Sequence, residues 1–255
     1  MSPQQVVEQV RKKERAVLES GRIGADAGPG LVELLKDKDA DVRELAVRCL
    51  DVAGGPAATT GLFQALHDPI EMTRAAAARA LHTHATAGNL PLIRKELAEN
   101  RLEYVREQMA LLIGEVGSTV DIPILTARQV PEKDQAAKHA ILLALCRLGY
   151  FPAREEFLQQ LNADDPAKRV ARLEDLPYIH DPKLALSVLP LLDDLRPGKN
   201  VGPSHGPYFI RVCDVAINEL DKLLNHPFPF GVDFMRRYTP DEIARAKVVA
   251  GLPRI

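Results

Sequence analysis

Residues 31–54, LVELLKDKDADVRELAVRCLDVAG, establish the architecture, because variants of this stretch recur along the chain. Apolar residues in both halves follow the spacing of one face of a helix, and an acidic turn separates the halves. The second half carries the pattern Val42-Arg43-x-x-Ala46-x-x-x-Leu50. The stretch therefore predicts a hairpin of two short helices as the building unit of the protein.

The basic residue of this pattern returns at nearly constant intervals. Aligned copies lie at Arg43, Arg74, Arg106 and Lys138, with a weaker copy at Arg169 and an offset one at Arg211. The successive intervals are 31, 32, 32, 31 and 42 residues, and the last is long because it contains the Pro/Gly-rich segment 196–207. This regularity predicts an array of stacked hairpins, since one hairpin alone leaves an apolar face exposed.

Local signals divide the array into helix pairs. Gly54, Gly117 and Gly149 lie where second helices should end, and Asp68-Pro69-x-Glu71 is typical of a capped helix start. The predicted pairs cover residues 29–54, 56–87, 89–117, 119–149, 151–180 and 182–225.

The two ends of the chain differ from the array. Residues 3–20 predict one amphipathic opening helix, so we expect residues 1–28 to cap the array, which spans 29–225. Residues 226–255 are expected to form a C-terminal cap. The rings of this segment are expected to fold over the last pair as an aromatic lid; they are Phe228, Phe230 and Phe234. Thr239-Pro-Asp-Glu242 predicts a capping box for a final helix.

The unit D-x-x-V-R-x-x-A-x-x-x-L, followed by Gly, resembles the HEAT-repeat family, and most closely its short bacterial PBS-lyase HEAT-like type. The resemblance covers residues 29–225 and is best in Asp39–Arg43 and in the copies at Arg74 and Arg106. It implies an all-α fold, an α-α superhelix (HEAT/armadillo-like solenoid) of about six helical pairs. It also implies a scaffold that binds a partner.

Composition restricts the function. The chain has 255 residues, 46% of them hydrophobic and 5% aromatic, with no Trp. Its net charge of −2 disfavours a nucleic-acid-binding protein, whose footprint is usually basic. Three scattered cysteines predict buried thiols in a reducing compartment. We expect a cytoplasmic protein, since the start lacks the apolar region of a signal peptide and no long apolar window is present. The resemblance implies a bacterial one.

No cofactor or metal site is predicted. His82 and His84 are two residues apart on a predicted helix, so their imidazoles point about 200° apart and cannot share one ion. One of them is expected at the surface and the other between repeats. The chain has no His-Glu dipeptide, which HEAT-like di-iron hydroxylases use in pairs.

The sequence predicts a non-catalytic scaffold that binds a protein or peptide on the concave surface of the array. Arg43, Arg74, Arg106 and Lys138 are interpreted as structural ties, and Arg236-Arg237 as a solvated corner. Two alternatives stay open: an enzyme with a pocket under segment 196–207, and a nucleic-acid-binding protein such as a HEAT-like base-excision glycosylase. The candidate contact residues, all polar, are Arg48, Arg79, Gln108 and His139 on second helices, and Lys199 and His205 in segment 196–207.

Overall fold

The computed structural model describes residues 1–19, 23–202 and 208–251. The chain forms two compact units, Met1–Ile141 and Leu142–Ile255. Helices dominate both. In the first unit they are α1 (Pro3–Arg11), α2 (Ala16–Glu19), α3 (Gly28–Leu34), α4 (Ala40–Ala53), α5 (Gly55–Ala65), α6 (Glu71–His84), α7 (Leu90–Glu99), α8 (Glu103–Val116) and α9 (Ile122–Gln129), followed by α10 (Gln135–Arg147), in which the division falls.

The second unit continues with shorter elements. Its helices are α11 (Phe151–Leu161), α12 (Pro166–Leu173), α13 (Leu176–Ile179), α14 (Ala185–Val188), α15 (Val212–Leu223) and α16 (Pro240–Ala250). Two strands, β1 (Pro197–Asn200) and β2 (Phe209–Arg211), pair in antiparallel fashion, with Asn200 opposite Phe209. No helix in the described ranges combines the length and apolar character needed to cross a bilayer.

The predicted helix pairs agree with α3–α4, α5–α6, α7–α8, α9–α10 and α11–α12. Their cores follow the repeat: the residues seven positions after the basic residue, Leu50, Leu81 and Ile113, are 0% exposed. The residues three positions after it are Ala46, Ala77 and Met109, which are equally buried. Burying one large aliphatic side chain contributes about 1.5–3 kcal/mol, so the shared register stabilises each layer in the same way.

Capping was predicted correctly at one end of the chain and wrongly at Asp68. Thr239 and Glu242 form the expected capping box at the start of α16. Helix α6 instead begins at Glu71 after Ile70, and Asp68 accepts the Ile70 amide at 2.8 Å. The reason is tertiary, because the Asp68 carboxylate is held by the Arg43 guanidinium at 2.7 Å.

The single opening helix predicted for residues 3–20 is wrong, because the chain breaks after Arg11. Lys13 adopts a left-handed backbone with φ of 60°, so α1 cannot continue into α2. Val6, Val10 and Val17 are nevertheless all buried, as their spacing predicted.

The predicted sixth pair is also different from the structure. Its first half contains only 3₁₀ turns and the four-residue helix α14, because Pro182 and Pro190 interrupt this stretch. Part of segment 196–207 is a strand rather than an irregular loop, since β1 pairs with β2.

The C-terminal lid is assembled around a different ring from those predicted. Phe228 and Phe230 stack at 5.4 Å, and Phe230 lies 5.7 Å from Tyr238. Tyr238 is only 2% exposed, whereas Phe234 is 68% exposed. The prediction that Phe234 covers the core is therefore wrong, because the ring of Tyr238, four residues later, is buried instead.

Candidate protein-binding surface

The three arginines of the repeat are structural ties, as the sequence indicated, whereas no contact between described residues bears out the same role for Lys138. Arg43, Arg74 and Arg106 each donate to two backbone carbonyls of the turn that precedes their own helix, at 2.7–3.3 Å. Lys138 makes no such bond to a described residue, which fits the absence of a guanidinium fork. These arginine side chains are therefore committed to the fold.

Alternate basic residues also reach an acid of the next pair. Arg43 binds Asp68 at 2.7 Å and Arg106 binds Glu132 at 2.8 Å, both across helix pairs of the first unit. In the second unit Arg169 binds Asp194 at 2.7 Å. At the corresponding position for Arg74, 26 residues on, stands Asn100, which is not an acid. The ion pairs therefore recur at every second layer.

Histidines also connect layers. His82 on α6 joins the layer that lacks such an ion pair, since it faces Glu115 at 2.8 Å and Gln108 at 3.1 Å, both on α8. His84 faces the Asp51 carboxylate of the preceding pair at 3.0 Å. Burial lowers the pKa of His82, but hydrogen bonds and the charge of Glu115 outweigh it and raise the pKa overall. Expecting one of the two histidines at the surface was wrong, since both connect repeats. Within the described residues no three His, Cys, Asp or Glu side chains are grouped as a metal site.

One stripe of each second helix of the first unit is exposed or half-buried. Counted from the basic residue, the positions two before, one after and five after lie within about 60° of each other around a helix. None of them is buried on α4, α6 or α8, and His139 extends the stripe onto α10. We name these ten residues the second-helix face: Asp41, Glu44, Arg48, Met72, Ala75, Arg79, Tyr104, Glu107, Leu111 and His139.

Arg48 and Arg79 occupy the same register position on this face but differ in their ion-pair partners. Arg48 is neutralised by Glu44 at 2.6 Å on its own helix. Arg79 is exposed and makes no ion pair with a described residue. Its charge acts on Tyr104 of the next helix, where burial raises the phenol pKa and Arg79 opposes that rise. Arg79 and Tyr104 therefore form one local feature of the face.

Gln108 and His139 are placed differently from each other. Gln108 faces His82 between two helices and is outside the second-helix face. The pKa of Glu107 is raised, chiefly by burial and then by Asp134, and His139 opposes that rise. The sequence missed Tyr104 and Glu107, although the register counted from Arg106 would have found both.

The remaining candidates lie elsewhere. Lys199, in the second unit, pairs with Glu174. His205 lies outside the described residues. Arg236 pairs with Glu242, and Arg237 donates to the Phe209 carbonyl at 2.8 Å, so this corner carries specific contacts. The role of the six predicted residues in partner binding stays a prediction.

The cysteines are buried thiols, as the sequence predicted. Cys49, Cys146 and Cys213 are free and buried. Burial raises the pKa of the Cys49 and Cys146 thiols to about 12 and that of Cys213 to about 11. A thiol that stays protonated at neutral pH is a poor nucleophile.

A family model described as HEAT repeats matches residues 9–81. This stretch is similar to HEAT repeats in its sequence. The HEAT resemblance is thereby confirmed, and the fold has the same class as a chain from the structure of the complex of CpcE and CpcF of phycocyanin lyase from Nostoc sp. PCC7120. The two chains share 17% identity with a TM-score of 0.55, over 98% of this chain and 94% of the other. No curated protein matches the sequence.

The likeness to a HEAT-repeat solenoid confirms the predicted fold class, an all-α HEAT-like array. At this identity the likeness is one of fold.

Proposed function

We propose that the chain is a non-catalytic scaffold that binds a protein or peptide on the second-helix face. The observation that carries the proposal is a stripe without buried residues, repeated at one register on the successive second helices α4, α6 and α8. A repeat array offers such positions side by side to an extended partner. The solved neighbour supports the proposal, since it belongs to a complex of two proteins, CpcE and CpcF.

The chemistry of the face suits a polypeptide. Met72 is 63% exposed and supplies apolar area, while Arg79 supplies a cation that no described acid neutralises. Tyr104 adds an aromatic ring with a polar tip, and Glu107 adds a carboxylate. Arginine and tyrosine are enriched among the residues that dominate protein interfaces. We place the strongest contacts at Arg79 and Tyr104.

The test is capture from the native cell with a tagged chain, followed by identification of bound proteins and binding measurements with the identified partner. The double variant Arg79→Glu, Tyr104→Ala should weaken binding at least ten-fold. Lys95→Glu is the matched control, because Lys95 is an exposed cation on the first helix α7, outside the face. Unchanged affinity of the double variant, with circular dichroism showing that it is folded, would refute the proposal.

A lyase subunit is the second candidate, favoured only by the likeness to a chain of phycocyanin lyase. It predicts that the chain changes the attachment of a chromophore to phycocyanin. Visible absorption and fluorescence of phycocyanin incubated with the chain test it directly. A spectrum identical to that of phycocyanin alone would remove this candidate.

A further inference from the structure

The segment between Gly231 and Tyr238 is irregular but firmly held. The buried Tyr238 hydroxyl donates to Asn218 Oδ1 of α15 at 2.7 Å and accepts the Asp233 amide at 3.0 Å. The Asp233 carboxylate accepts the Met235 amide at 2.8 Å, and Arg236 donates to the Gly231 carbonyl at 2.6 Å. These bonds fix the path of the segment without using the side chains of Phe234 or Met235.

Those two side chains point away from the core. Phe234 is 68% exposed and Met235 is 43% exposed. Tyr208 and Phe209 are 40% and 38% exposed and are joined to the segment by Arg237, which lies 5.4 Å over the Tyr208 ring. We name these apolar residues the tail patch: Tyr208, Phe209, Phe234 and Met235. Arg237 thus brings Tyr208 and Phe209 beside the segment that carries Phe234 and Met235, and exposed apolar side chains gathered in one place mark interaction sites.

Opposite charges flank the apolar pair in the sequence Asp233-Phe234-Met235-Arg236-Arg237. The Arg237 guanidinium donates to the Phe209 carbonyl and stacks on a ring, but no described carboxylate pairs with it. Asp233 is exposed, and its carboxylate accepts the Met235 amide. Acid, two apolar residues and base in this order are complementary to the same surface turned through a two-fold rotation.

We propose that the tail patch binds a second copy of this chain. Phe234 and Met235 of the two copies pack together at the axis, and Asp233 of each copy faces Arg237 of the other. The fixed backbone of the segment lowers the entropic cost of association, since the contact residues are already placed. An interface of so few residues is small, so the dimer is weak and its population rises with protein concentration. The tail patch belongs to the second unit and shares no residue with the second-helix face.

Sedimentation velocity of the purified chain from about 5 to about 500 µM tests the proposal, because weak interfaces associate in that range. The weight-average mass should rise toward that of a dimer. Phe234→Ser with Met235→Ser should weaken association at least ten-fold. A chain that is monomeric throughout, or a dimer that this variant leaves intact, would overturn it.

A charge exchange separates the specific pairing from general stickiness. Arg237→Asp and Asp233→Arg should each weaken the dimer, since like charges then meet across the axis. The double variant Asp233→Arg, Arg237→Asp restores opposite charges and should recover most of the association. Lys95→Asp serves as the charge-reversal control, and thermal melts verify folding. Failure of the double variant to recover dimerisation, with its fold intact, would contradict the two-fold arrangement.

Discussion

Replacing Glu132 by Gln tests the ion pairs between layers most directly. The Glu132 side chain is 1% exposed and accepts from Arg106 at 2.8 and 2.9 Å and from Arg128 at 2.7 Å. The amides of Lys133 and Asp134 donate to the same carboxylate at 3.0 and 3.1 Å. Gln keeps the shape but removes the charge, so two guanidinium groups lose their counter-ion in a buried place.

The size of the effect follows from the pKa of Glu132. The hydrogen bond from Arg106 is the largest cause that lowers this pKa from 4.5 to about 2, and burial opposes it. The difference corresponds to about 3 kcal/mol of unfolding free energy at neutral pH. Because the folded-state pKa lies below the unfolded one, this stabilisation is complete above the unfolded value and is lost as the pH falls through the folded value. At pH 3 about 1.4 kcal/mol should remain.

Urea unfolding followed by far-ultraviolet circular dichroism at pH 7 and pH 3 measures both quantities. Glu132→Gln should be destabilised by about 3 kcal/mol at pH 7 and by clearly less at pH 3. Glu99→Gln is the matched control, because Glu99 is an exposed carboxylate on α7. A loss below about 0.5 kcal/mol at pH 7, the size of an ordinary surface substitution, would refute the assignment. Equal losses of unfolding free energy at both pH values would refute the dependence of this stabilisation on the charge of Glu132.

Two further predictions concern α6. Both ring nitrogens of His82 face acceptors, and its pKa is raised, so its contribution should be full below the unfolded pKa of about 6.5 and disappear as the pH rises through the folded value. His82→Gln should flatten the dependence of the melting temperature on pH between about pH 5.5 and 8, relative to wild type. His180→Asn, at an exposed histidine, is the control, and parallel profiles of all three proteins would contradict this prediction. The Thr73 hydroxyl is buried without a described partner, so Thr73→Val should leave the urea midpoint unchanged or raise it, and a loss above about 1 kcal/mol would reveal a hidden hydrogen bond.

The helical repeat could be predicted because its signal is local and periodic. Arg43, Arg74 and Arg106 share one register, and the apolar residues counted from them are buried as expected. Features that depend on distant partners could not be read in the same way. Asp68 had the sequence of a helix cap, but Arg43 recruits its carboxylate. Strand β1 looked like a Pro/Gly-rich loop because its pairing with β2 is a non-local contact.

The candidate surface was predicted only in part, for a physical reason. Arg48 and Arg79 were selected by polarity, and they happen to share the exposed register position. Gln108 was selected in the same way, but it lies one residue after Glu107 of the face. One residue of displacement turns a helical side chain by about 100°, and Gln108 faces His82 instead. Hydrophobicity misled the prediction at Phe234, which is apolar but exposed.

The spacing of the arginine–acid pairs has a consequence for internal motion. Arg43–Asp68 and Arg106–Glu132 fasten the first junction between helix pairs and the third. The second junction has no arginine–acid pair among the described residues; there His82 faces Glu115, and the raised pKa of His82 makes this contact weaken as the pH rises through it. Spontaneous opening of the first unit should therefore start at this junction, between α6 and α8, where alkaline solution removes the attraction. Amide exchange should then be fastest along that seam and slow down on mild acidification once the intrinsic rate is divided out.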